Sequence, residues 1–227
     1  MILTDTAITL LRVNTRENDR AACVYTRTRG KLVLHFRGVN RHQGKLKAFA
    51  EPLSCAEHRY SFRPGALTGT AAGGKLITVF PGIRRDYSKL VLALHFCELL
   101  HQMTPASQPN PLKYDLLESA LRHLDSAAAP GAMRHAFTLR LMALAGFGLD
   151  RPVLGIDREF WRKLHHADFC DLECGDDELE YLPRTETVLR RFFASQLNRP
   201  PNSLALIEAP PEPAAALPCC AIPQGIT

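Results

Sequence analysis

The chain has 227 residues, with 28 Lys and Arg against 23 Asp and Glu, a formal net charge of +5, 46% hydrophobic and 22% charged residues. These proportions exclude a wholly disordered chain and allow a sizeable core. No run of about 18 apolar residues is present to span a bilayer. The opening "MILTDTAITLL" has an acid at Asp5 and no basic leader region, so a cytoplasmic protein is expected.

The first 80 residues read as strands. Ala7–Val13, Ala21–Thr26, Lys31–Val39, Leu53–Phe62 and Lys75–Phe80 are short runs of β-branched, aliphatic and aromatic residues, separated by Gly-, Asn-, Asp- and Pro-containing turns. Five short strands without helical periodicity suggest a small barrel of the OB type, a fold whose loops and open face commonly hold nucleic acid. After Pro81-Gly82 the spacing changes. Tyr87, Leu90, Val91, Leu94, Cys97 and Leu100 recur three or four apart within Asp86–Met103. A second helix is predicted around Leu112–Leu124 and a third from Met133 to Leu144. Asp157 caps a short helix through Trp161 and Leu164, and Pro183–Asn198 forms another. The expected fold class is therefore α+β: an N-terminal OB-fold barrel over 1–80, a helical domain over 81–200, and a disordered Pro- and Ala-rich tail over 201–227.

Charge is unevenly spread. Residues 1–80 hold 13 Lys and Arg against 5 Asp and Glu, whereas the remainder holds 15 against 18. Such asymmetry points to a polyanion partner for the barrel alone. The basic stretch without an acid before Glu51 is "GKLVLHFRGVNRHQGKLKAFAEPL", Gly30 to Leu53. Lys31, Arg37, Arg41, Lys45 and Lys47 are the candidate DNA contacts: Arg suits bidentate phosphate binding and Lys point-charge contact. A plain solvated loop is the alternative. Phe36 alternates with Leu32 and Leu34, which favours a core position over base stacking.

The seven cysteines, Cys23, Cys55, Cys97, Cys170, Cys174, Cys219 and Cys220, are scattered and form no CxxC, so a disulfide framework is not expected. His165, His166, Cys170 and Cys174 would offer soft ligands, with His166, Cys170 and Cys174 on one face if the helix continued; the plainer reading is surface histidines and partly buried thiols. No P-loop, G-x-S-x-G, G-x-G-x-x-G or HExxH occurs, and carboxylates in the basic third are few. An enzyme is not expected. The alternatives are a metal-dependent nucleic-acid hydrolase using the His/Cys cluster, and an RNA-binding module on the same barrel.

The order of these segments resembles the RecO family of DNA repair and recombination mediators. Thr28, Gly30, Lys31, Leu32, Arg37, Gly38, Val39, Arg41, Lys45, Leu46, Pro52 and Leu53 match its N-terminal signature. "FTLRLMALAGFGLD", Phe137 to Asp150, is similar to its helical motif F-E-L-R-L-L-x-x-L-G-Y-G-P. The resemblance implies a protein that binds single- and double-stranded DNA, anneals complementary strands, and works with RecR and with the acidic C-terminal tail of single-stranded DNA-binding protein (SSB) to load a recombinase. Arg134, Phe137 and Arg140 are the candidate contacts for that tail; for Arg140 an ion pair within the bundle is the favoured reading. Some members carry zinc on two CxxC pairs, which this chain lacks, so no cofactor is expected.

Overall fold

The computed structural model describes residues 2–14, 18–40, 46–63, 66, 68–149, 155–197 and 199–208. Five strands form a closed barrel: β1 (Ile2–Asn14), β2 (Arg20–Thr26), β3 (Gly30–Phe36), β4 (Cys55–Phe62) and β5 (Thr68–Thr78), in the order β1-β2-β3-β5-β4. β1 is long because it serves two partners. Its first half pairs antiparallel with β4 and its second half with β2, with a register shift between Thr9 and Leu11. β3 and β5 are parallel and share three residue pairs.

Alternation decides which residues fill the barrel. In β3, Leu32, Leu34 and Phe36 point inward; in β4, Ala56, His58 and Tyr60 do so. β2 breaks the pattern, since six of its seven residues are buried. Ala22 and Val24 belong to the interior, while Cys23 and Tyr25 belong to a second core. That second core joins the barrel to the helices: Ile8, Leu10, Cys23, Tyr25, Leu53 and Cys55 pack with residues such as Phe96, Leu100, Tyr114 and Leu117.

The helical part contains α1 (Pro81–Arg85), α2 (Tyr87–Gln102), α3 (Pro111–Ser126), α4 (Met133–Leu144), α5 (Arg158–His166), α6 (Asp176–Leu179), α7 (Tyr181–Gln196) and α8 (Asn202–Glu208). Local chemistry sets several starts. The side chains of Asp86, Asn110 and Asp157 accept hydrogen bonds from the first amides of α2, α3 and α5. None of the helices among the described residues is long and apolar enough to cross a membrane.

The structure differs from the sequence expectation at several element bounds, three of which change the reading. β1 begins five residues earlier, and β5 begins at Thr68 rather than Lys75. β5 is masked in the sequence by glycines that its packing requires: a Cβ on Gly69 would lie 2.7 Å from the Phe62 ring, and one on Gly74 would lie 2.2 Å from the Glu57 carbonyl oxygen. The stretch expected to be tail from residue 201 contains α8, docked on α2. The rest of that stretch, with Cys219 and Cys220, lies outside the described residues.

Candidate nucleic-acid interface

The helices cover the β1–β2 side of the barrel and leave the β3–β5–β4 face open. Register places its outward residues side by side: His35 opposite Thr70, Thr70 opposite Ser61, Arg59 opposite Gly73, and Glu57 opposite Lys75. Arg37 follows His35 in the turn after β3, and Lys47 opens the short 3-10 turn Ala48–Ala50 at the same end of the barrel. Arg37, Lys47, Arg59 and Lys75 are exposed, and the ion pairs found among the described residues do not include them. Other cations of the barrel are engaged instead. Glu51 pairs with Arg20 and lies 3.9 Å from Arg12, while Arg27 meets Asp115 at 3.1 Å. The surface between the free cations is built of small and polar side chains such as Ser61, Thr70 and Ala72.

Of the five predicted DNA contacts, Arg37 and Lys47 are solvent-exposed at this end. Arg41 and Lys45, with His42 between them, lie outside the described residues. Lys31 is placed elsewhere. Its Nζ donates to the His101 carbonyl oxygen at 2.6 Å, at the junction with α2. Burial there pulls its pKa below the usual lysine value. Lys31 shares the outward side of β3 with His35, but the helical domain covers that end of the strand. Phe36 is fully buried in the barrel interior. Arg59 and Lys75 are not among the cations expected from sequence. The alternation Glu57, Arg59, Ser61 against Ala56, His58, Tyr60 in "CAEHRYSF" is the signal that exposes Arg59. Lys75 lies in the fifth strand expected from sequence, but its place opposite Glu57 is set by the β4–β5 register.

The three residues expected to receive a partner's tail do not form one surface. Phe137 is fully buried and stacks on Phe96 with ring centroids 4.0 Å apart. Arg140 donates to the Leu164 carbonyl oxygen at 2.8 Å and to that of Ala167, and its guanidinium lies 5.0 Å from the Phe169 ring. It thus binds free carbonyls at the end of α5 instead of an acid. Arg134 pairs with Glu186 at 2.7 Å and lines a cleft of about 420 Å³ between α2, the turn before α4, and α8. Lys89, Val91, Leu92 and Leu206 line the same cleft.

The His/Cys set is also separated. α5 ends at His166 and a 3-10 turn follows at Phe169–Asp171, so His166, Cys170 and Cys174 do not lie along one helix. Cys170 instead lies near Asp168 and Asp171 in an exposed group. The one-faced ligand set that a hydrolase centre would have needed is not formed.

Residues 1–80 match the family model described as "Recombination protein O N terminal", and residues 84–152 match "Recombination protein O C terminal". A DNA repair protein RecO from Listeria monocytogenes serotype 4a is 27% identical over 202 residues, covering 85% of this chain and 77% of the relative. Those from Pelobacter propionicus and Geobacter metallireducens are each 28% identical, over 61% and 63% of this chain and 54% and 58% of their own lengths. Barrel and helical region are matched separately and in order, so the chain belongs to the RecO family of DNA repair and recombination proteins.

Proposed function

We propose that the protein is a non-enzymatic recombination mediator that binds single- and double-stranded DNA on the β3–β5–β4 face and anneals complementary strands there. The observation that carries this is the set of exposed cations on and beside the β3–β5–β4 face: Arg59 and Lys75 on its strands, and Arg37 and Lys47 in the turns at its end. A cationic face gathers phosphates of any sequence and screens the repulsion between two strands, which is what annealing needs. Pairing with RecR rests on family membership. The SSB tail is acidic with an apolar end. The cleft of Lys89, Arg134, Val91, Leu92 and Leu206 suits it better than Phe137 and Arg140, because it combines cations with accessible apolar walls.

The test is binding of a labelled single strand across a salt series, for wild type and for Arg37→Ala/Lys47→Ala/Arg59→Ala. Wild type should show a steep log–log slope, and the variant a slope shallower by roughly 0.7 for each phosphate that is no longer neutralised. An unchanged slope in the variant would remove this face as the site. A matched RNA strand in the same series tests the RNA-module alternative, which requires tighter binding to RNA.

A further inference from the structure

The opposite end of the barrel holds a cavity that the cationic face does not use. The turn between β2 and β3 supplies Thr28 and Arg29, the end of β4 supplies Phe62 and Arg63, and the interdomain segment supplies Ser107 and Pro109. Leu3 and Leu32 complete an apolar wall. Its volume is about 390 Å³, at the small end of the roughly 300–1,000 Å³ typical of ligand clefts. No carboxylate lines it among the described residues, and both of its cations are exposed.

The walls are held in place. Phe62 meets the Tyr60 ring edge-to-face, with centroids 5.6 Å apart and planes at 76°. Gly69 leaves the room for it, since a Cβ there would come within 2.7 Å of Cε2. The interdomain segment lies flush on the β2–β3 turn. The Ser107 amide donates to the Lys31 carbonyl oxygen at 3.0 Å. Gly30 has φ +72°, and a Cβ there would meet the Gln108 carbonyl oxygen at 2.1 Å. The cavity is therefore a preformed feature shared by two hairpin ends and the connection to the helices.

An aromatic ring and two aliphatic walls beside two exposed guanidinium groups match one ligand chemistry well: a flat heteroaromatic base joined to phosphate. We propose that this cavity holds a single unstacked nucleotide of bound DNA, with its base against Phe62 and its flanking phosphates on Arg29 and Arg63. A paired base cannot enter, so the site favours single strands over duplex. The inference rests on the DNA-binding reading and adds a second contact point. It lies one β3 length from Arg37, or about 20 Å at ~3.3 Å per residue.

The full chain would be irradiated with a short single strand carrying one 5-iodouracil, and the crosslinked peptide identified by mass spectrometry. The expected crosslink lies within Tyr60–Arg63. In parallel, Phe62→Leu, which keeps apolar bulk but removes the ring, should lower single-strand affinity about tenfold and leave duplex affinity within about twofold. Crosslinks confined to residues 33–37 and 57–59, or a Phe62→Leu variant that binds single strands like wild type, would overturn the nucleotide site. In that case the Arg37→Ala/Lys47→Ala/Arg59→Ala variant still reports on the cationic face by itself. Failure of wild type to bind either single strand or duplex would overturn both readings.

Discussion

His58 stands inside the barrel, edge-on to Phe36 and Phe49 at centroid distances of 6.1 and 5.6 Å, with neither ring nitrogen hydrogen-bonded. Burial pushes its pKa down to about 4, against a smaller opposing pull from Asp5. The folded state therefore holds a neutral imidazole where the unfolded chain would protonate near pH 6.5. The unfolded chain binds the extra proton between those values, so stability is full above about pH 6.5 and falls as the pH drops towards 4. Over that interval the loss is on the order of 3 kcal/mol. His58→Phe should flatten this part of the stability–pH curve, measured by urea unfolding at a series of pH values. Parallel curves for wild type and variant would count against it. His95 has the same depressed value, about 4, chiefly from burial, and keeps some acid sensitivity in the variant. Legibility at this scale depends on what decides each position. Phe36 is readable as core because its alternation with Leu32 and Leu34 is local. Phe137 and Arg140 fit both a partner groove and the bundle interior in the sequence and are enclosed in the bundle, because a helix stripe does not show which side another helix will cover.

Among the elements, α8 shows how a short segment in Pro-rich sequence becomes ordered. Glu98 of α2 accepts from the amides of Asn202 and Ser203 at 2.8 and 2.9 Å and from the Ser203 hydroxyl at 2.6 Å, while His95 meets the same hydroxyl at 2.9 Å. Burial works to raise the Glu98 pKa, but these hydrogen bonds outweigh it and the value is lowered. The carboxylate acts as an N-cap supplied from another helix. Glu98→Ala should weaken this dock by about 1 kcal/mol. Amides of residues 202–208 should then exchange with deuterium faster, while those of α3 keep their protection. Equal protection in wild type and variant would mean that packing alone holds α8. Starts with their own cap are legible: Asp157 opens α5 where its sequence indicates. α8 is not legible, because its cap lies 104 residues away.

At the scale of the whole molecule, barrel and bundle share one core. Ile8, Leu10, Cys23, Tyr25, Leu53 and Cys55 are buried outside the barrel interior, against the helices. At ~1.5–3 kcal/mol for each large side chain, their burial is comparable to the roughly 5–15 kcal/mol net stability of a whole domain. The full chain should accordingly unfold in one cooperative transition by calorimetry, and residues 1–80 expressed alone should bind an apolar dye and lack a sharp melt. A separate barrel that melts cooperatively would show that the interface is dispensable.

The sequence alone determined the strand-to-helix order, the switch at Pro81, the basic bias of the first 80 residues and the family, because periodicity, turn residues and charge are local properties of the chain. Tertiary structure alone decided which of the described cations remain free. Lys31 belongs to the same basic run as Arg37, yet the end of α2 meets it and the solvent meets Arg37. Arg59 and Lys75 join the open face only once β5 has paired with β4, since register between distant strands sets which side chains become neighbours.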